Sequence, residues 1–174
     1  NTIGSSFYYT NEFDSAIYYL QRAFSLASEQ LDSALLGKVS GRIGKVVYSQ
    51  NNYDSAWALF NKDFHRSIKD SAFNAAANAS QWMAKANLAR GNREAALVNA
   101  KEALRLLSLW PNKPYRRDTY FTLSQVFRAM GDYDSAFYFS DRFISLNDSL
   151  EKEVATSSLE ISKARLISEE SRYR

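Results

Sequence analysis

Few side chains in this sequence can carry out chemistry on a substrate. There is one histidine, His65, beside Lys62 and Arg66 in the neighbouring sequence, and no cysteine. A lone imidazole without a second histidine or a thiolate supplies neither a metal set nor a nucleophile–base pair, so His65 reads as an ordinary, partly exposed residue. Carboxylates alone would have to hold any metal, and no calcium-loop spacing occurs. The paired Glu169 and Glu170 lie on a helix face that reads as solvated, whereas general acid–base work needs carboxylates held together in a cleft. Glycine-rich phosphate loops, a serine nucleophile elbow and the zincin motif are absent. These residues predict no enzyme, no metal and no cofactor.

Three glycines stand out instead. Gly37, Gly41 and Gly44 fall near one face of a helical stretch, where each costs about 1 kcal/mol relative to alanine. Close packing accounts for Gly44; the other two read either as packing positions or as places where a ligand approaches the backbone.

Lys plus Arg number 22 and Asp plus Glu 19, a mild positive balance rather than the concentrated basic charge of a nucleic-acid binder, so no nucleic acid is expected as partner. A composition 45% hydrophobic and 24% charged with two prolines fits a folded globular protein. No run of about 18 apolar residues exists, and the N-terminus lacks the basic-then-apolar pattern of a signal peptide. Any membrane attachment would lie in a flanking segment. The lack of cysteine fits a bacterial periplasm or a reducing cytoplasm.

The elements that position side chains come from an internal repeat. Asn11-Glu-Phe13-Asp-Ser-Ala16, Asn51-Asn-Tyr53-Asp-Ser-Ala56, Gly91-Asn-Arg93-Glu-Ala-Ala96 and Gly131-Asp-Tyr133-Asp-Ser-Ala136 recur at one constant interval without a gap. Twelve residues before each alanine stands a small residue, Gly4, Gly44, Ala84 and Ser124, preceded by Ile3, Ile43, Met83 and Leu123. Asn and Gly tolerate the left-handed backbone that ends a helix, and the following acid suits the next helix's first turn. The pattern is a helix hairpin repeated four times, its first copy truncated because Asn1 aligns mid-helix, so the chain reads as a piece of a longer one. Helices are expected near 1–10, 13–28, 32–49, 53–68, 71–90, 93–108, 116–130 and 133–147. Asp32 and Asp70 are expected as N-caps, and residues 110–114 as a non-helical connection. A separate helix is expected to open at Asn147 or Asp148, its first half docking Leu150, Val154 and Ile161 on Phe139 or Phe143 and its second half projecting. The domain division is thus 1–148 for the hairpins and 149–174 for a capping and exit helix.

A small residue, an aromatic, a turn Gly or Asn, an aromatic and an alanine in this order resemble the tetratricopeptide repeat family over about residues 1–148. The resemblance implies an all-α, right-handed superhelix of hairpins that binds proteins or peptides. The 40-residue spacing exceeds the family's usual length of about 34, Asn87 and Arg93 stand where aromatics are common, and Asp63 stands where a small residue is expected.

Stacked hairpins expose one face of every first helix along a groove. Translation from one repeat to the next places Ser5 and Tyr8; Lys38, Lys45 and Tyr48; Asn78, Gln81, Lys85 and Leu88; and Asp118, Phe121, Gln125 and Arg128 on it. Of these, Lys38, Lys45, Tyr48, Asn78, Gln81, Lys85, Phe121, Gln125 and Arg128 are the candidate ligand-groove residues. Four cations against one acid, interleaved with aromatics and amides, suit an extended acidic segment; the alternative is a merely solubilising row of lysines. The carboxylate-clamp members of the family use paired asparagines that the row Ser5, Lys45, Lys85 and Gln125 lacks. The Tyr-rich repeats and the exit Leu146-Asn-Asp-Ser-Leu150 further resemble bacterial regulators in which such an array precedes a kinase or helix-turn-helix output. The competing expectation is a freestanding scaffold, or a homodimer joined through Tyr18, Tyr19, Trp57, Tyr138 and Phe139.

Overall fold

The computed structural model describes residues 2–10, 12–30 and 33–172. Asn11 and Asp32 lie outside them, and the side chains of Ile3, Gly4, Ser5 and Leu166 are likewise outside the description. The described residues form eight α-helices and no strand: α1 (Thr2–Tyr9), α2 (Phe13–Glu29), α3 (Ser33–Ser49), α4 (Tyr53–Lys69), α5 (Phe73–Ala89), α6 (Arg93–Leu109), α7 (Lys113–Met130) and α8 (Tyr133–Arg172). Each helix packs on the next along the chain, and α5 also meets α7 and, over fewer residues, α3. The helices α3, α5 and α7 therefore share one layer of a hairpin solenoid.

The hairpin turns follow from their residue types. Asn51, Gly91 and Gly131 take φ of 62°, 81° and 82°, and the amide one residue on reaches back to a helix carbonyl: Asn52 donates to Val47, Asn92 to Asn87 and Asp132 to Phe127. These bonds satisfy carbonyls that the ending helix leaves without partners. The next helix starts at once, with Asn52 and Asp132 accepting from the backbone N–H of Ser55 and Ser135 at 3.2 and 3.0 Å.

Ala16, Ala56 and Ala96 are fully buried and Ala136 is 8% exposed, so the repeated alanine marks the same crossing point in every hairpin. The small residue on the partner helix has a matching reason. A Cβ on Gly44 would lie 2.6 Å from the Phe60 ring, closer than atoms can pack.

Four expectations are corrected. Asp70 does not cap α5; its N–H donates to the Arg66 carbonyl at 2.9 Å and closes α4. Ser71 then takes a left-handed φ of 55°, and α5 begins behind Ala72. The connection at 110–114 is shorter than expected, because Asn112 accepts from the Tyr115 N–H at 3.0 Å and Pro114 sits in the first turn of α7, where its missing donor costs nothing. No helix opens at Asn147 or Asp148. With no Gly or Pro to stop it, α8 runs through them, and the Asn147 amide donates to Glu151 Oε1 at 2.8 Å along the same helix. The docking stripe is consequently absent: Leu150 is half-buried, but Val154 and Ile161 are 69% and 57% exposed, since a continuous helix cannot fold back on its own Phe139 or Phe143.

Candidate binding groove

The groove is built on the layer of α3, α5 and α7, and its centre is a residue that repeat counting missed. Trp82 on α5 is half-buried and stacks on Phe60 of α4 at 5.5 Å between centroids, with Tyr48 of α3 edge-on at 5.5 Å. Two ammonium groups flank it: Lys45 Nζ lies 5.0 Å and Lys85 Nζ 4.3 Å from the ring centroid, within cation–π range. The two lysines occupy equivalent positions in successive repeats. Burial holds both below the usual lysine range, while the Asp118 carboxylate opposes that shift. The Tyr48 hydroxyl is pushed up, chiefly by burial. An anion brought here would therefore meet cations whose hydration is already partly removed.

Two clefts flank this centre. Tyr48, Trp82, Lys85, Leu88, Phe121 and Gln125 line one of about 390 Å³, so four of the nine candidate residues meet there. Lys38, Lys45 and Asn78 line a larger one of about 790 Å³ between α3, α4 and the start of α5. Gln81 is not offered to a ligand. It is 2% exposed and its Nε2 donates to Thr122 Oγ1 at 2.7 Å, tying α5 to α7. Arg128 is exposed and lines neither cleft. Asp118, the lone acid of the row, is paired with Arg117 at 2.7 Å, and Tyr8 packs on Phe13 within the first hairpin's core.

The glycines and the irregular polar residues explain one another. Cβ atoms on Gly37 and Gly41 would lie 3.1 and 2.8 Å from the Asp63 carboxylate, so the small positions of α3 make room for the oversized residue of α4. Asp63 is 6% exposed, and burial pushes its carboxyl up to about 6 against the opposing pull of Ser67, Arg66 and Lys45. Asn87, replacing an aromatic, is buried and donates to Asn99 Oδ1 at 2.8 Å. His65 is exposed beside Phe64.

The proposed self-association set divides. Tyr18 and Tyr138 are 59% and 52% exposed. Tyr19 stacks on Phe7, Phe139 stacks on Phe127, and Trp57 lies under Arg90. Those last three are half-buried within the solenoid.

Three solved structures share this architecture. BtubC from P. vanneervenii superimposes with a TM-score of 0.73 at 12% identity, covering 86% of this chain and 62% of its own. The apo form of RapI gives 0.77 at 15% identity, covering 89% and 57%. A kinesin-light-chain-type protein of Podospora anserina with nearly identical TPR-like repeats gives 0.68 at 11% identity, covering 85% and 73%. The chain thus spans about six-tenths of the first two. No protein-family model matches the sequence, and no curated protein is similar to it in sequence. The fold is that of tetratricopeptide-type helix-hairpin solenoids.

Proposed function

We propose that this chain is a partner-binding module whose groove takes an extended acidic segment of a protein, serving as the sensing region of a bacterial signalling or transcriptional regulator. The observation that carries the reading is Trp82 between Lys45 and Lys85. An aromatic platform with two partly desolvated ammonium groups favours a carboxylate-bearing strand with an apolar anchor, the anchor entering the cleft of Tyr48, Leu88 and Phe121. The projecting part of α8 supports the regulatory role, in the periplasm or the cytoplasm.

Selecting a random peptide library on the full chain should enrich Asp- and Glu-rich sequences with one bulky apolar residue. The tightest of them should lose about tenfold or more in affinity with Lys45→Glu/Lys85→Glu, and the loss should shrink with added salt. Enrichment of neutral or basic peptides, or unchanged affinity in the folded double variant, overturns the reading.

A scaffold role is favoured by a different observation, the exposed Tyr133, Phe137 and Tyr138 on α8, at 71%, 76% and 52%. Concentration-independent sedimentation as a monomer would remove it.

A further inference from the structure

The larger cleft has a chemistry of its own. Arg66 of α4 lines it, and its Nη1 atom is buried with no hydrogen-bond partner. A buried guanidinium donor left without an acceptor is costly, and such groups in folded proteins ordinarily meet an anion or water. Lys38 and Lys45 of α3 line the same cleft, Lys45 with its ammonium partly desolvated. Arg42 and Asp70 also line it, each engaged in an interaction of its own. Phe73, Asn74 and Ala75, the first turn of α5, form part of the wall, and no side chain caps that helix, which leaves its positive end facing the cleft. Asp63 and Asp70 are the opposing charges in the lining; Asp63, seated in the hole left by Gly37 and Gly41, also feels the Arg66 charge.

We propose that this cleft binds a tetrahedral oxyanion, a phosphate- or sulfate-bearing group held by Arg66 beside the first turn of α5, with Lys38 and Lys45 adding positive charge to the same cleft. The lining cations and the α5 amides belong to three helices. A planar carboxylate presents two oxygens in one plane, whereas a tetrahedral anion presents oxygens to each side, and a guanidinium suits such a group well. At about 790 Å³ the cleft has room for the body that carries the anion. One wall beyond the charged residues is the stacked pair Phe73 and Trp110, 3.8 Å between centroids, with Tyr115 nearby in the same lining. The carrier is thus expected to be apolar or aromatic next to its anionic group.

This goes beyond the groove reading, and Lys38, Lys45 and Asn78 are common to both; the test therefore relies on Arg66, Asp63 and Lys85. Sodium sulfate, whose charge is constant near neutrality, is titrated into the full chain at fixed ionic strength and followed by calorimetry, with acetate in parallel. One saturable sulfate site is expected, weakened about tenfold by Arg66→Gln through loss of a charged hydrogen bond. Asp63→Asn should do the opposite and tighten binding by roughly threefold or more, because a like charge is removed. That gain separates a binding role from misfolding, which would only weaken it. Lys85→Gln, outside the cleft, should leave sulfate binding unchanged. No saturable sulfate binding, equal affinity for acetate, wild-type affinity in folded Arg66→Gln, or no gain in Asp63→Asn each overturns the proposal.

Discussion

Helix α5 and the far half of α8 invert what their compositions suggest. α5 buries nine of its 17 residues, among them Ser80, Gln81 and Asn87. Residues 151–165 of α8 are all exposed, although they include Val154, Leu159 and Ile161. The difference is one of neighbours: α5 is enclosed by α4, α6 and α7, whereas among the described residues α8 packs mainly on α7, with Phe139 reaching the α5–α6 cluster, and outruns that partner. In a solenoid a residue's burial is decided by which helices flank it more than by its own hydrophobicity.

A pair of truncations of similar kind tests the contrast most directly. Leu107, fully buried on α6 against α5, should cost about 2–5 kcal/mol on replacement by alanine, while Val154→Ala should stay within about 0.5 kcal/mol. Urea unfolding of both variants measures this, and similar losses would mean that α8 finds a partner the structure lacks.

The next largest effect lies on the enclosed side. Because Asp63 holds its proton more tightly when folded, its contribution to stability is fully present below the ordinary aspartate range and declines as pH rises through about 4 towards 6. Asp63→Asn should therefore stabilise the protein by about 1–3 kcal/mol at pH 7.5 and give no advantage at pH 4. Melting curves across that range check the sign, and a constant difference would mean that Asp63 titrates normally.

The smallest effect is expected at the other end. Ending the chain after Val154 should leave the melting temperature unchanged to within the shift that about 0.5 kcal/mol produces, because the removed side chains that are described bury nothing. A large drop would restore the capping role first expected of this segment.

The hairpins were legible in the sequence because their turns depend on local chemistry: Asn51, Gly91 and Gly131 declare a left-handed backbone by residue type alone. Ser71 did not, since serine carries no such signature, and the start of α5 was misplaced with it. The groove was half legible. Translation by one repeat found Lys45 and Lys85, but the ring between them belongs to the position shared with Arg42 and Thr122, where nothing repeats. A large aromatic next to the small-residue row, flanked by lysines at equivalent positions, was the available signal. Gly37, Gly41 and Asp63 each looked irregular alone, and only the pairing of α3 with α4 shows them to be one arrangement. The missing break at Asn147 has a comparable cause: Asn147 and Asp148 have the residue types of a helix cap, but no residue there ends the preceding helix.

The unbroken course of α8 turns the last hairpin into the short arm of a lever. Residues 151–172 extend it by about 33 Å at 1.5 Å per residue. A tilt of about 5° at α7 would displace the far end by roughly 3 Å over that length. One residue inserted after Leu150 would turn everything beyond it by about 100° around the axis. Distance and angular phase at Arg172 are therefore set by events at the Gly131 turn, which leads into the opposite end of the same helix.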